Sequence, residues 1–172
     1  MMNSDFILQR NILMQADDFF EAYRRCIKGE NLNKENGRLC ASVVNIPAIV
    51  NASFACELYM KSMISDKTVG HNLKDLFDLL PIETQNTISN SVNDKLAEHP
   101  VYNFEYCLES AADVFIDWRY IYEDCHTEGF YGSYINEYLM FFERLLPILK
   151  EIAYYLKPTI YLFALQSLKN QL

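Results

Sequence analysis

Apolar residues along this chain recur mostly at three- and four-residue intervals, the period of an α-helix. Over residues 5–28 the spacing of Leu8, Ile12, Phe19 and Tyr23 predicts a first helix, with Asp5 as its cap and Gly29 where it stops. The polar interval 29–38 reads as a loop. A second helix is predicted over 47–65, because a proline in the first turn costs no amide donor. It is apolar nearly all round until Lys61, which belongs at the centre of a bundle. After Gly70 comes a short element, 71–80, ended by Pro81. Pro81 opens a more polar helix to about Glu98, expected on the outside, and His99-Pro100 breaks it.

The next stretch has the clearest pattern. Phe104, Leu108, Ala111, Phe115, Trp118, Tyr122 and Cys125 are spaced 4, 3, 4, 3, 4 and 3, which predicts one continuous long helix. Asn103 is its cap, and the loop 126–132 ends it, with Gly129 and Gly132 as breakers. A further helix is predicted from near Ser133 to about Lys157, with a kink at Pro147. The tail after Pro158 is apolar enough to pack as one more. No repeat or linker interrupts the chain. The expectation is one all-α domain over 1–172, an up-and-down antiparallel bundle of four long helices with short extra ones.

Composition narrows the class further. At 51% hydrophobic and 22% charged residues, a disordered chain is excluded. Five Gly and five Pro are few for a loop-rich β-sandwich. The net charge of −8 is uneven: residues 75–128 carry −10, with Lys95 and Arg119 their only bases. Such a surface repels phosphate, so a nucleic-acid role requires a local basic site. The five Cys are odd in number and lack a Cys-x-x-Cys pair, which reads as reduced thiols in a cytoplasmic protein. The N-terminus lacks a signal peptide's charged-then-apolar order. The uncharged stretch 39–56 and the apolar stretch 152–168 are both too interrupted to span a membrane.

Several chemistries are missing. There is no Gly-rich phosphate loop, no His-Glu-x-x-His and no Gly-x-Ser-x-Gly. With three His, a multi-His metal site is not expected, and neither a metal nor a cofactor is called for. The notable run is Asp117-Trp118-Arg119-Tyr120-Ile121-Tyr122-Glu123-Asp124-Cys125-His126. On a continuous helix, Arg119 and His126 lie about 20° apart, with Glu123 between them. This polar line runs beside the apolar stripe, at the rim of the core. A helix C-terminus favours imidazolium, and a His beside a fixed cation suits phosphodiester chemistry. The same spacing fits an ordinary Arg119–Glu123 pair and an exposed loop His. Tyr120, Tyr131 and Tyr134 cluster near this groove and can stack bases or simply pack. Glu57, in an apolar run, needs a partner, either Lys61 at i+4 or Arg119 across the bundle. His71, after Gly70, is expected to cap or brace the short element.

The runs SFACELYMKSMIS, GHNLKDLFDLLP and FIDWRYIYE resemble the HEPN family, the higher eukaryotes and prokaryotes nucleotide-binding domains. The resemblance extends over most of the chain. It implies a helical bundle, commonly a homodimer, and for many members a metal-independent endoribonuclease in toxin–antitoxin or other defence systems. The family signature is Arg, four to six residues, then His. Arg119 and His126 match it with six between. The resemblance then implies that His126 moves protons as a ribose 2′-hydroxyl attacks its phosphate, while Arg119 stabilises the charge. Tyr120, Glu123, Glu57 and His71 are the further residues expected at the binding site. Tyr120 stands where active members carry a polar residue. Other members are non-catalytic binding or assembly modules that act with a nucleotidyltransferase or another partner. The partners expected are therefore a second copy, RNA or a nucleotide, and a nucleotidyltransferase or antitoxin, but not a membrane.

Overall fold

The structure is a computed structural model that describes residues 4–28, 34–35, 38–39, 45–64, 70–99, 101–119 and 131–157. Among the described residues, seven α-helices account for nearly everything: α1 (Ser4–Lys28), α2 (Asn45–Met63), α3 (Leu73–Asp78), α4 (Ile82–Leu96), α5 (Phe104–Ser110), α6 (Val114–Arg119) and α7 (Tyr131–Leu156). Within the interval expected to be a loop and one residue past it, β1 (Lys34–Glu35) pairs antiparallel with β2 (Arg38–Leu39), in the register Lys34↔Leu39 and Glu35↔Arg38. The intervening Asn36-Gly37 is the dipeptide that most favours a two-residue hairpin, a signal that helical periodicity does not register.

Helix α2 is central, as its all-round apolar sequence predicts. Its buried set runs from Ala48 to Met63 and includes Ile49, Leu58, Tyr59 and Met60. It packs against α1, α3, α6 and α7. Small residues at Ala48, Ala52, Ser53 and Ala55 keep its girth low, so neighbours can close in from several sides. Each fully buried Leu, Ile or Phe side chain in this core contributes roughly 1.5–3 kcal/mol of transfer free energy. Helix α4 lies outside, burying only Ile88, Val92 and Leu96 at intervals of four. Helix α7 buries Phe141, Phe142, Leu145, Leu146 and Leu149, and runs on through the exposed Pro147.

The continuous helix expected from the 4-3 spacing is two helices with a turn between them. The described part of the stripe is buried: Phe104, Leu108, Ala111, Phe115 and Trp118 all lie below a tenth exposed, while Tyr122 and Cys125 lie outside the described residues. The break comes at 111–113. There the Leu73 amide donates to the Ala112 carbonyl at 2.8 Å, taking the acceptor that a continuous helix would offer to Ile116. The Ile116 amide donates instead to the Asp113 carbonyl at 2.9 Å. Asn72 Nδ2 donates to Asp113 Oδ1 at 3.0 Å, so the start of α3 is fastened to the same turn. Asn103 does cap α5, accepting from the Tyr106 amide at 2.8 Å.

Helix α7 is tied down by side chains. Trp118 meets Tyr138 edge-on with ring centroids 5.6 Å apart. Tyr102 Oη donates to Glu137 at 2.9 Å, and Arg144 Nε donates to the Lys95 carbonyl at 3.0 Å. No described helix is long and apolar enough to cross a membrane.

Candidate functional site

Glu57 sits in the middle of α2 and is 1% exposed. A carboxylate there must be paired, since burying it alone is costly. Lys61, one turn on, donates Nζ to Oε1 at 2.7 Å. His71 brings Nδ1 to 3.1 Å from Oε1 and 3.0 Å from Oε2. Of the two partners weighed for Glu57, the i+4 lysine is present. The guanidinium of Arg119 lies outside the described residues.

Local sequence positions His71. Gly70 has φ +153°, a conformation that side-chain-bearing residues rarely adopt, and it opens the return of the chain onto α2. Asn72 then caps α3 by accepting from the Asp75 amide at 3.0 Å. The adjoining bonds to the 111–113 turn fix His71 from its C-terminal side. Its ring lies 5.4 Å from that of Phe115, tilted by 32°. Phe115 in turn stacks on Phe54 at 4.8 Å and 18°, and Phe54 meets Phe19 edge-on at 4.5 Å. A row of rings thus runs from α1 through α2 and α6 to the imidazole.

Electrostatics follow from this geometry. An ionised carboxylate only accepts, so Nδ1 of His71 carries the proton in the bond to Glu57. Neutral imidazole then presents Nε2 as an acceptor. Among the described residues Nε2 has no partner, and the His71 side chain is 49% exposed. One side of the ring is held and the other meets solvent.

Arg119 is the last residue of α6, one turn beyond Phe115. Tyr120, Glu123 and His126 lie outside the described residues, as do the side chains of Tyr131 and Tyr134. The structure therefore joins Glu57 to His71 and brings the helix ending in Arg119 against them. Among the described residues, no group of three His, Cys, Asp or Glu is arranged to hold a metal ion.

A second polar cluster was not anticipated. Asp17 of α1 accepts from the hydroxyl of Tyr59 on α2 and from that of Tyr154 on α7, the latter at 2.7 Å. Lys150 Nζ lies 2.9 Å from Asp17 Oδ1 and 5.7 Å from the centroid of the Tyr154 ring. Burial pushes both phenols up, and the hydrogen bond to Asp17 and its charge add to the shift. The available signal was Tyr59 itself, since a phenol in an apolar helix must find an acceptor. Beside this cluster lies a cavity of about 910 Å³ walled by Phe20, Pro147, Lys150, Tyr154 and Tyr155. Comparison with family models, curated proteins and solved structures returned no match.

Proposed function

We propose that the chain is a HEPN-like, metal-independent endoribonuclease of a toxin–antitoxin or defence system, cytoplasmic and homodimeric. In this reading four long helices form an up-and-down antiparallel bundle. Arg119 stabilises charge on the scissile phosphate and His126 moves protons, with Tyr120 and Glu123 lining the cleft beside Glu57 and His71. The observation that carries the reading is the contact of His71 with Phe115, because Phe115 precedes Arg119 by one turn of α6. That contact sets a half-exposed imidazole and a buried carboxylate beside the helix that supplies the only arginine of the acidic stretch. In this reading a cationic and a proton-carrying group meet at one rim, which is what phosphodiester cleavage without a metal requires.

The test is incubation of purified protein with a mixture of transfer and ribosomal RNA in EDTA. Cleavage by wild type that Arg119→Ala and His126→Ala both abolish is the expected result. Intact RNA with wild type, or cleavage that both substitutions leave unchanged, overturns the reading.

A second reading has its own observation. Glu57 is closed off by two partners, Lys61 and His71, as a purely structural brace would be. The protein is then a non-catalytic HEPN-like binding or assembly module acting with a nucleotidyltransferase or another partner protein. Retarded but uncleaved RNA, or none retarded at all, in the same mixture identifies this case.

A further inference from the structure

We propose that His71 is a proton-transfer residue of this site: its Nε2 takes the proton from the 2′-hydroxyl of a bound ribonucleotide while Glu57 holds its Nδ1. The inference deepens the ribonuclease reading and rests on it.

Four features carry the assignment. The first is the division of the ring, with Nδ1 on a buried carboxylate and Nε2 without a partner among the described residues. A carboxylate behind an imidazole fixes its tautomer and orientation, and so prepares the opposite nitrogen to act as a base. The second is that Glu57 cannot turn away, because Lys61 holds the same carboxylate at 2.7 Å. Glu57 is therefore a positioning residue and His71 the group that meets substrate. The third is rigidity. Phe115 lies against the ring, Asn72 caps α3 and bonds to Asp113, and Leu73 bonds to Ala112. Pre-set geometry of this kind is what proton transfer demands. The fourth is access, since nearly half the side chain meets solvent.

The elements that adjoin His71 carry the following charged groups. From α2 come Glu57 and Lys61. On α3, Lys74 is paired with Asp78, and Asp75 lies in the first turn. Asp113 is engaged by Asn72, and α6 carries Asp117 and Arg119.

The chemical step balances without an oxidant or a metal. His71 Nε2 accepts the 2′-hydroxyl proton as O2′ attacks the adjacent phosphorus. The O2′–P bond forms and the P–O5′ bond breaks. The departing O5′ takes a proton from solvent. The products are a 2′,3′-cyclic phosphate and a 5′-hydroxyl.

The experiment uses the full chain and the same RNA mixture in EDTA. His71→Gly is expected to slow cleavage on the order of 10²–10⁴-fold. Added imidazole restores the rate. Pyrazole, a ring of the same shape but a far weaker base, fills the gap without restoring it. Nitrogen-15 spectra of the wild type show a protonated Nδ1 and a bare Nε2. Rescue by pyrazole equal to that by imidazole assigns His71 a structural role and overturns the inference. A proton found on Nε2 of the neutral ring does so too, and both results leave the Arg119 and His126 reading standing. Where His71→Gly fails to fold, His71→Asn retains a donor at the Nδ1 position for Glu57, and a wild-type rate in that variant also overturns the role. Wild type that leaves the RNA intact overturns the ribonuclease reading itself, and the role of His71 with it.

Discussion

Replacing the Glu57 carboxylate by an amide, Glu57→Gln, removes one charge and almost no volume. Lys61 then loses its counter-charge and His71 its charged acceptor, while the amide oxygen still accepts one hydrogen bond. Breaking a fully sealed ion pair costs about 3–5 kcal/mol, because the abandoned charge stays buried. Here the partners are less sealed. The Lys61 side chain is 21% exposed and that of His71 49%, so water screens both. The cost falls toward about 2 kcal/mol. For a chain of this size one kcal/mol moves the melting midpoint by about 2–4 °C, so the expected drop is about 4–8 °C. Thermal melts followed by far-ultraviolet circular dichroism read it directly. A double-mutant cycle with Lys61→Met isolates the pair, with an expected coupling of about 0.5–3 kcal/mol. A midpoint within about 1 °C of wild type, or strict additivity in the cycle, refutes the claim that the buried carboxylate is held by charge.

Three further outcomes follow from the same structure. Asn72→Ala removes both the cap on α3 and the bond to Asp113, which together cost about 2 kcal/mol in urea unfolding; a loss below about 0.5 kcal/mol contradicts the fastening of α3 to the 111–113 turn. Cys56 and Cys107 are buried and Cys26 is half-buried; burial pushes the Cys56 thiol well up and the Cys107 thiol from 9.0 to about 11. Iodoacetamide at mildly alkaline pH should therefore modify Cys26 before either of them, as peptide mass spectrometry will show, and equal rates contradict the packing. The same shifts fix the alkaline limit of stability. A thiol raised on folding stabilises fully below its unfolded value and loses that contribution as pH rises through its folded one. For Cys107 the loss runs from about pH 9 to about pH 11, and the raised phenols of Tyr59 and Tyr154 extend it upward. Urea midpoints across this range should fall, and Cys107→Ala should flatten the first part of the fall.

The helices were legible in the sequence because burial leaves its period in the residues. The all-round apolar run of α2 placed it at the centre, and the polar character of α4 placed it outside. Periodicity reports rotation about an axis, however, and not continuity along it. The stripe from Phe104 to Trp118 is buried on schedule, yet the backbone turns at 111–113 because Leu73 and Asn72 claim its polar groups from elsewhere. The candidate site divides in the same way. Lys61 was visible as a partner of Glu57 at i+4, whereas the part His71 plays depends on how the chain comes back after α2. Asp17 was invisible for the stronger reason that its phenolic donors stand 42 and 137 residues away in sequence.

The row Phe19–Phe54–Phe115–His71 has a spectroscopic consequence. Circulating π-electrons of Phe115 displace the chemical shifts of the imidazole protons beside it. Any loosening of α1 disturbs Phe54, then Phe115, and so arrives as a moved resonance on His71. The chain thus carries its own magnetic gauge, readable without a label, of whether its first helix is seated.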